Sequence, residues 1–221
     1  MFYKLKILEI KEIARDIFEI RLEKPENYEY FSGQHVIISI PEETNSNLKR
    51  LYTIASSPHE NFLKFIIKSY KDREGLSKKI ASLKSGDFLE VSNAKGKLKY
   101  SGEGIFIAAG TGVVPFYSIA KSLHKERSED KNVLLFSVKS CDELFLENEL
   151  RNFFSGGCHI TLTRENKDGY FYGRIDEEMI KKFASLNKKF YVCGPINFIK
   201  DIKGILKKSG IDESKILSEL G

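Results

Sequence analysis

Hydrophobic and polar positions alternate with a period near two through residues 1–100, the spacing of strands that bury one face. The pattern predicts strands at Tyr3–Ile10, Ile17–Leu22, Gln34–Ile40, Leu51–Ser56, Phe62–Ile67 and Phe88–Val91, all short and rich in β-branched or aromatic residues. Turn-forming clusters separate them: Pro25-Glu26-Asn27, Ser32-Gly33, Pro41 to Asn47, Ser57-Pro58 and Ser85-Gly86-Asp87. One helical stretch, Leu76–Leu83, interrupts. Strands at this spacing predict a closed or nearly closed antiparallel β-barrel.

The period then changes. Gly104–Ala109 is a continuous apolar run, as expected of a strand buried on both faces. Helices are predicted near Pro115–Lys125 and over Asp142–Phe153, Asp176–Phe183 and Ile196–Ser209. They alternate with strands at Val133–Val138, His159–Thr163, Phe190–Cys193 and Ile216–Leu217. Such alternation predicts an α/β domain, a doubly wound parallel sheet with helices on both faces. The boundary falls near Ser101–Glu103, giving domains 1–101 and 102–221 with no low-complexity linker between them.

Composition narrows the function. With 41% hydrophobic and 30% charged residues and a mean hydropathy of −0.31, the 221-residue chain reads as soluble. No apolar run approaches the roughly 20 residues needed to span a bilayer. The start, Met1-Phe2-Tyr3-Lys4, lacks a signal-peptide core, so a cytoplasmic location is expected, without membrane insertion. Cys141, Cys158 and Cys193 are too scattered for a metal or redox motif, as are the four histidines. No metal site is expected. The formal charge of +5 lacks the concentrated basic stripe of a nucleic-acid binder and suits an acidic protein partner.

Four segments carry chemistry. Arg50-Leu51-Tyr52-Thr53 sets a guanidinium, a ring and a hydroxyl within four residues. This set suits a flat, phosphorylated cofactor: the ring covers a planar group while the guanidinium forks a phosphate. An ordinary strand with an aromatic on one face is the competing reading. Gly110-Thr111-Gly112-Val113-Val114-Pro115 links the first buried strand to a helix. Glycines let backbone approach a pyrophosphate, and Pro115 fits the first helical turn. A plain glycine turn competes. Cys193-Gly194-Pro195 ends a later buried strand, so it faces the same crevice; a merely buried cysteine competes. Gly75-Leu76-Ser77 opens the helix of the first half, as a phosphate site or with Ser77 as a cap.

In this order and at these spacings the segments resemble the ferredoxin–NADP reductase superfamily, in its bacterial ferredoxin/flavodoxin reductase branch. Gly33-Gln34-His35-Val36 and Leu83-Lys84-Ser85-Gly86-Asp87 add to the match, which covers essentially the whole chain. The resemblance implies an FAD-binding barrel followed by a nicotinamide-nucleotide domain. It gives Arg50 the flavin pyrophosphate, Tyr52 (with Leu51) the isoalloxazine, and Thr53 a contact near N5. Ile66, Ile67 and Lys68, with Gly75, Leu76 and Ser77, complete the cofactor's contacts. Gly110, Thr111, Gly112 and Pro115 hold the nicotinamide nucleotide, with Cys193, Gly194 and Pro195 at the ring. Glu219 matches a family tail that orients the nicotinamide or helps proton traffic, although Leu220 stands where that tail has an aromatic. Thr53, Cys193 and Glu219 are thus the expected catalytic set. Tyr70 is a candidate for the adenine.

An NAD site wants an acid at the end of its second strand. Here Lys139 occupies that region. With Arg164 and Arg174, at positions resembling the two arginines of NADPH-linked members, it favours NADPH over NADH. The expected activity is hydride transfer between NADPH and FAD and single-electron exchange with an acidic ferredoxin or flavodoxin. Alternatives are the reductase component of an oxygenase or other multi-subunit complex, a free flavin reductase, or a non-catalytic electron-transfer subunit.

Overall fold

The computed structural model describes residues 1–41, 48–70, 72–126, 131–183 and 188–218. The chain forms two compact units, Met1–Lys99 and Tyr100–Gly221. Among the described residues the first unit holds β1 (Phe2–Ala14), β2 (Ile17–Glu23), β3 (His35–Ser39), β4 (Arg50–Thr53), β5 (Phe62–Lys68), α1 (Leu76–Ala81) and β6 (Phe88–Ser92). The strands lie in the order β4-β3-β6-β1-β2-β5, antiparallel throughout. Inward positions such as Ile7, Ile20, Leu22, Val36, Ile38, Phe65 and Val91 are fully buried in one core.

The expected strand Leu51–Ser56 stops at Thr53. Beyond it Ile54, Ala55, Ser56 and Ser57 are all buried, so alternation ends. This irregular segment closes the barrel: Ala55 N–H donates to the Lys64 carbonyl at 2.7 Å, and Lys64 N–H donates to Ser56 Oγ at 3.0 Å. The first strand outruns its expected end at Ile10 because register shifts near Ile7 and Glu12 carry it onward along β2 to Ala14.

On the outward side of β2 and β5, Glu19 and Lys64 are buried together, 3.4 Å apart. Lys11 at 3.5 Å and Arg21 at 2.9 Å also reach Glu19. Burial raises the Glu19 carboxyl, but Lys64, Lys11 and Arg21 outweigh it and leave it below the ordinary carboxylate range. Its stabilisation is therefore present above the unfolded value, about 4.3, and is lost as pH falls through the folded one. Urea unfolding at about pH 7 and about pH 3 should show a smaller acid-induced loss for Glu19→Gln than for the unaltered chain. Equal losses would remove this group as a source of acid lability.

The second unit contains β7 (Gly104–Ala109), α2 (Val114–Lys125), β8 (Val133–Val138), α3 (Glu147–Phe153), β9 (Gly157–Leu162), β10 (Phe171–Tyr172), α4 (Glu177–Phe183), β11 (Lys189–Cys193), α5 (Ile196–Lys208) and β12 (Ile216–Ser218). Its sheet is parallel, ordered β10-β9-β8-β7-β11-β12. Strands after β7 add first on one side and then, from β11, on the other, so the switch point lies between β7 and β11. At the opposite end Tyr191 fastens the segment entering β7. Its ring stacks on Phe106 at 4.3 Å, and its hydroxyl donates to the Gly102 carbonyl at 2.8 Å and accepts from Ser101 N–H at 3.0 Å.

One expectation changes here, and one strand was not foreseen. The single helix over Asp142–Phe153 is in fact a 3-10 turn, Cys141–Glu143, and a separate helix, α3. Leu144 is extended and Leu146 left-handed at φ 57°, which drops Phe145 into the core edge-on to Phe136, at 6.0 Å. Burying that ring outweighs helix continuity. The short edge strand β10 carries no alternation, since both its residues are exposed. Among the described residues no helix is long and apolar enough to cross a membrane, and no group of three or more His, Cys, Asp or Glu is placed to hold a metal ion.

Candidate functional site

In the first unit the chemistry gathers on β4. Tyr52 lies opposite Val36 and packs on the barrel core, while Arg50, on the same face, is exposed. Burial pushes the Tyr52 phenol up to about 12, with Arg50 opposing and Tyr70 adding to the rise, so the three side chains are electrostatic neighbours. Tyr70 is half exposed, and the Arg73 guanidinium lies 5.5 Å from its ring centre. Two exposed guanidinium groups beside two phenol rings suit a planar group with an anionic tail. Thr53, the last residue of β4, is half-buried opposite His35. Leu51 falls on the other face from Tyr52 and is 59% exposed.

The other expected contacts divide by where their side chains go. Ile67 and Leu76 are built into the barrel core, so only their backbone is available to a ligand. Ile66 and Lys68 occupy the outward positions of β5; Ile66 is buried and Lys68 half-buried. Gly75, not Ser77, is the residue that caps α1, and no side chain caps that end. Glu219 lies outside the described residues.

In the second unit the turn Gly110–Val113 and α2 begin where β7 ends. Its two glycines serve different ends. Gly110 adopts φ +54°, a left-handed conformation, and a Cβ there would meet nothing within 4 Å. Gly112 is a matter of space: a Cβ would lie 2.6 Å from the Cys193 carbonyl oxygen and 2.6 Å from Gly194 N and Cα. The structure thus brings Gly112 against Cys193 and Gly194 at the switch point, with Gly110 and Thr111 in the same turn and Pro115 buried in the first turn of α2. Open space above Gly110, beside the start of a helix, fits the pyrophosphate of a dinucleotide.

Lys139, Arg164 and Arg174 follow the carboxyl ends of β8, β9 and β10, three adjacent strands. Arg164 N–H donates to the Lys139 carbonyl at 2.9 Å, tying two of them together, and all three side chains are exposed. The same edge also holds acids. Lys139 Nζ is 3.6 Å from Glu143 Oε1, and Cys141 N–H donates to Glu165 Oε2 at 2.7 Å. Glu143 stands four residues beyond Lys139, a spacing visible in sequence but easily read as helix surface.

The fold matches the solved ferredoxin NADP+ reductase of Neisseria gonorrhoeae with bound FAD and NADP, at a TM-score of 0.87 and 21% identity, covering 99% of this chain and 98% of that one. The model of the oxidoreductase FAD-binding domain matches residues 4–100, and that of the oxidoreductase NAD-binding domain matches residues 106–204. The chain belongs to the ferredoxin–NADP reductase superfamily. Within the superfamily it is 24% identical over 217 residues to the NADH oxidoreductase HCR of Escherichia coli, covering 95% of this chain and 65% of that protein. It is 25% identical over 205 residues to the NADH-cytochrome b5 reductase 1 of Lodderomyces elongisporus, covering 86% and 67%. The chain thus spans about two thirds of these relatives, and 23% of the nitrate reductase [NADPH] of Leptosphaeria maculans. The two domains make it an oxidoreductase with sites for FAD and a pyridine nucleotide.

Proposed function

We propose that this chain is a cytoplasmic, FAD-dependent reductase that takes hydride from NADPH and passes single electrons to a ferredoxin or flavodoxin. What carries the reading is that one chain presents both the Arg50–Tyr52 pair on a barrel strand and the Gly110–Gly112 turn against Cys193 at a switch point. The match to the Neisseria reductase, which holds FAD and NADP, supports this reading. FAD, when bound, supplies the step from two-electron to one-electron chemistry. Arg50 anchors the flavin's phosphate, Tyr52 covers its ring, and Thr53 holds the reactive edge. Cys193 and Gly112 orient the nicotinamide, with Glu219 assigned to proton traffic there. Small errors in that orientation are costly to rate.

The three edge cations support NADPH, because a 2′-phosphate is dianionic. Lys139 already shares its charge with Glu143, so discrimination against NADH is expected to be modest. Lys139→Ala combined with Arg164→Ala should raise the KM for NADPH by about tenfold or more, while the KM for NADH moves less than about threefold. Equal changes would remove the 2′-phosphate assignment. Stopped-flow reduction by each nucleotide, followed by reoxidation with ferredoxin or flavodoxin, tests the whole reading. A protein that stays colourless with FAD would refute it.

The longer relatives favour a second reading: a reductase module serving a larger oxygenase or haem system. The fold also matches the cytochrome P450 reductase GcoB of Amycolatopsis at a TM-score of 0.88 and 19% identity, covering 99% of this chain and 69% of that one. Fast reduction of flavin by NADPH with no transfer to either carrier would favour it.

A further inference from the structure

The sheet edge that carries Lys139, Arg164 and Arg174 is not equally firm along its length. Lys139 and Arg164 are tied to each other through backbone, and Thr163 N–H, one residue before Arg164, donates to the Val138 carbonyl at 2.9 Å. Arg174 stands one strand further out, beyond β10, a strand of two residues neither of which is buried. Packing therefore holds β10 weakly, and hydrogen bonds decide where it ends. Gly173 takes two of them, both from β9. Its N–H donates to the Leu162 carbonyl at 2.9 Å, and its carbonyl accepts from Thr161 Oγ1. Thr161 itself is 1% exposed, so its hydroxyl needs a partner inside the protein. Gly173 adopts φ +100°, and a Cβ there would meet nothing within 4 Å, so this glycine serves a backbone angle and not a shortage of space. On the far side of Arg174, Ile175 is buried in the core, and Asp176 Oδ1 accepts from Met179 N–H at 2.8 Å at the start of α4. Arg174 is thus an exposed side chain on backbone that is held on both sides.

We propose that Thr161 is a positioning residue for the nucleotide: through the Gly173 carbonyl it fixes the direction in which Arg174 leaves the sheet edge, and so tightens the hold on a 2′-phosphate. The proposal rests on the 2′-phosphate reading of that edge. The peptide joining Gly173 to Arg174 is planar, so pinning its carbonyl also pins the nitrogen and Cα from which Arg174 starts. A guanidinium pairs with phosphate through two parallel bonds, so its contribution depends on angle as well as distance. A lysine in the same place would tolerate a loose backbone better. A buried strand hydroxyl could satisfy itself on any nearby acceptor, but this one closes on the residue directly before a cation, across an edge strand that packing does not fix. The chain of β9 therefore sets two cations, Arg164 by continuing into it and Arg174 through the Thr161 hydroxyl. NADH offers only a 2′-hydroxyl at this place, so the effect falls on NADPH.

The test uses the FAD-loaded chain, with ferricyanide as electron acceptor and with 2′-AMP and 5′-AMP as calorimetric probes. Thr161→Val keeps the side chain's shape and removes its hydroxyl. It should raise the KM for NADPH about fivefold and weaken 2′-AMP binding by a similar factor. The KM for NADH, the kcat with either nucleotide, the 5′-AMP affinity and the flavin content should stay within about twofold. Thr161→Ser should restore the KM for NADPH, because it keeps the hydroxyl. In an Arg174→Ala background Thr161→Val should add nothing, since both changes act through one guanidinium. Gly173→Ala disturbs the same peptide without touching Thr161 and should show the same split between the two nucleotides, which decides the matter even if Thr161→Val does not fold. Equal changes for NADPH and NADH, no recovery in Thr161→Ser, or full additivity with Arg174→Ala would overturn the proposal. So would a Thr161→Val protein with unaltered 2′-AMP affinity when Arg174→Ala has lost it. If Arg174→Ala itself binds 2′-AMP as the unaltered chain does, the 2′-phosphate reading of Arg174 fails, and with it the premise of this one.

Discussion

Gly112→Ala is expected to give a yellow protein that NADPH reduces poorly. The added Cβ would sit 2.6 Å from the Cys193 carbonyl oxygen and from backbone atoms of Gly194. None of these is the end of a flexible side chain, so the turn after β7 and the turn after β11 must move apart. Overpacking of this kind costs about 1–3 kcal/mol, and it falls on the crevice proposed to hold the nucleotide. The dissociation constant for NADPH, from stopped-flow reduction, should rise at least about tenfold, a loss near 1.4 kcal/mol. Flavin content should not change, because the barrel is a separate compact unit with its own core. Gly110→Asn is the control. Gly110 needs a left-handed conformation but has open space around it, and asparagine visits that conformation at low cost. It should be the milder variant. A Gly112→Ala protein reduced with unaltered affinity and rate would sink the close-approach argument.

Arg50→Ala should release the flavin. A charge-assisted hydrogen bond to phosphate contributes about 1.5–3 kcal/mol, so affinity for FAD should fall between about ten- and 150-fold. Titrating apoprotein with FAD and following fluorescence reads this directly. Arg50→Lys should restore part of the loss, since a lysine keeps the charge but not the two-pronged geometry. At saturating FAD the KM for NADPH should match the unaltered chain, because Arg50 belongs to the barrel. Unchanged FAD affinity would dismiss the phosphate role and leave Tyr52 as an ordinary half-buried ring.

Much of this architecture is legible in the amino-acid order because its causes are local. Strand alternation around Leu5 and Ile7, and the unbroken run of β7, follow from which faces are buried. The glycines after β7 mark a tight turn for steric reasons that operate within a few residues. Illegible features depend on distant partners. Phe145 breaks a helix because Phe136 waits beneath it. Ile54 to Ser57 leave the strand pattern because Lys64 offers them a barrel seam. The α1 cap falls to Gly75 although Ser77 has the better capping side chain.

The sequence by itself determined two domains of different period, the order of their motifs and the placement of Arg50, Tyr52 and the glycine turn on their elements. Hydrophobic periodicity and backbone sterics act along the chain, so they are readable there. Only the tertiary structure decided that Gly112 answers to Cys193 while Gly110 answers to its own backbone angle. It also decided that the cations of three strand ends share their edge with Glu143 and Glu165. These are matters of register between segments far apart in sequence, where a shift of one residue turns every side chain to the opposite face.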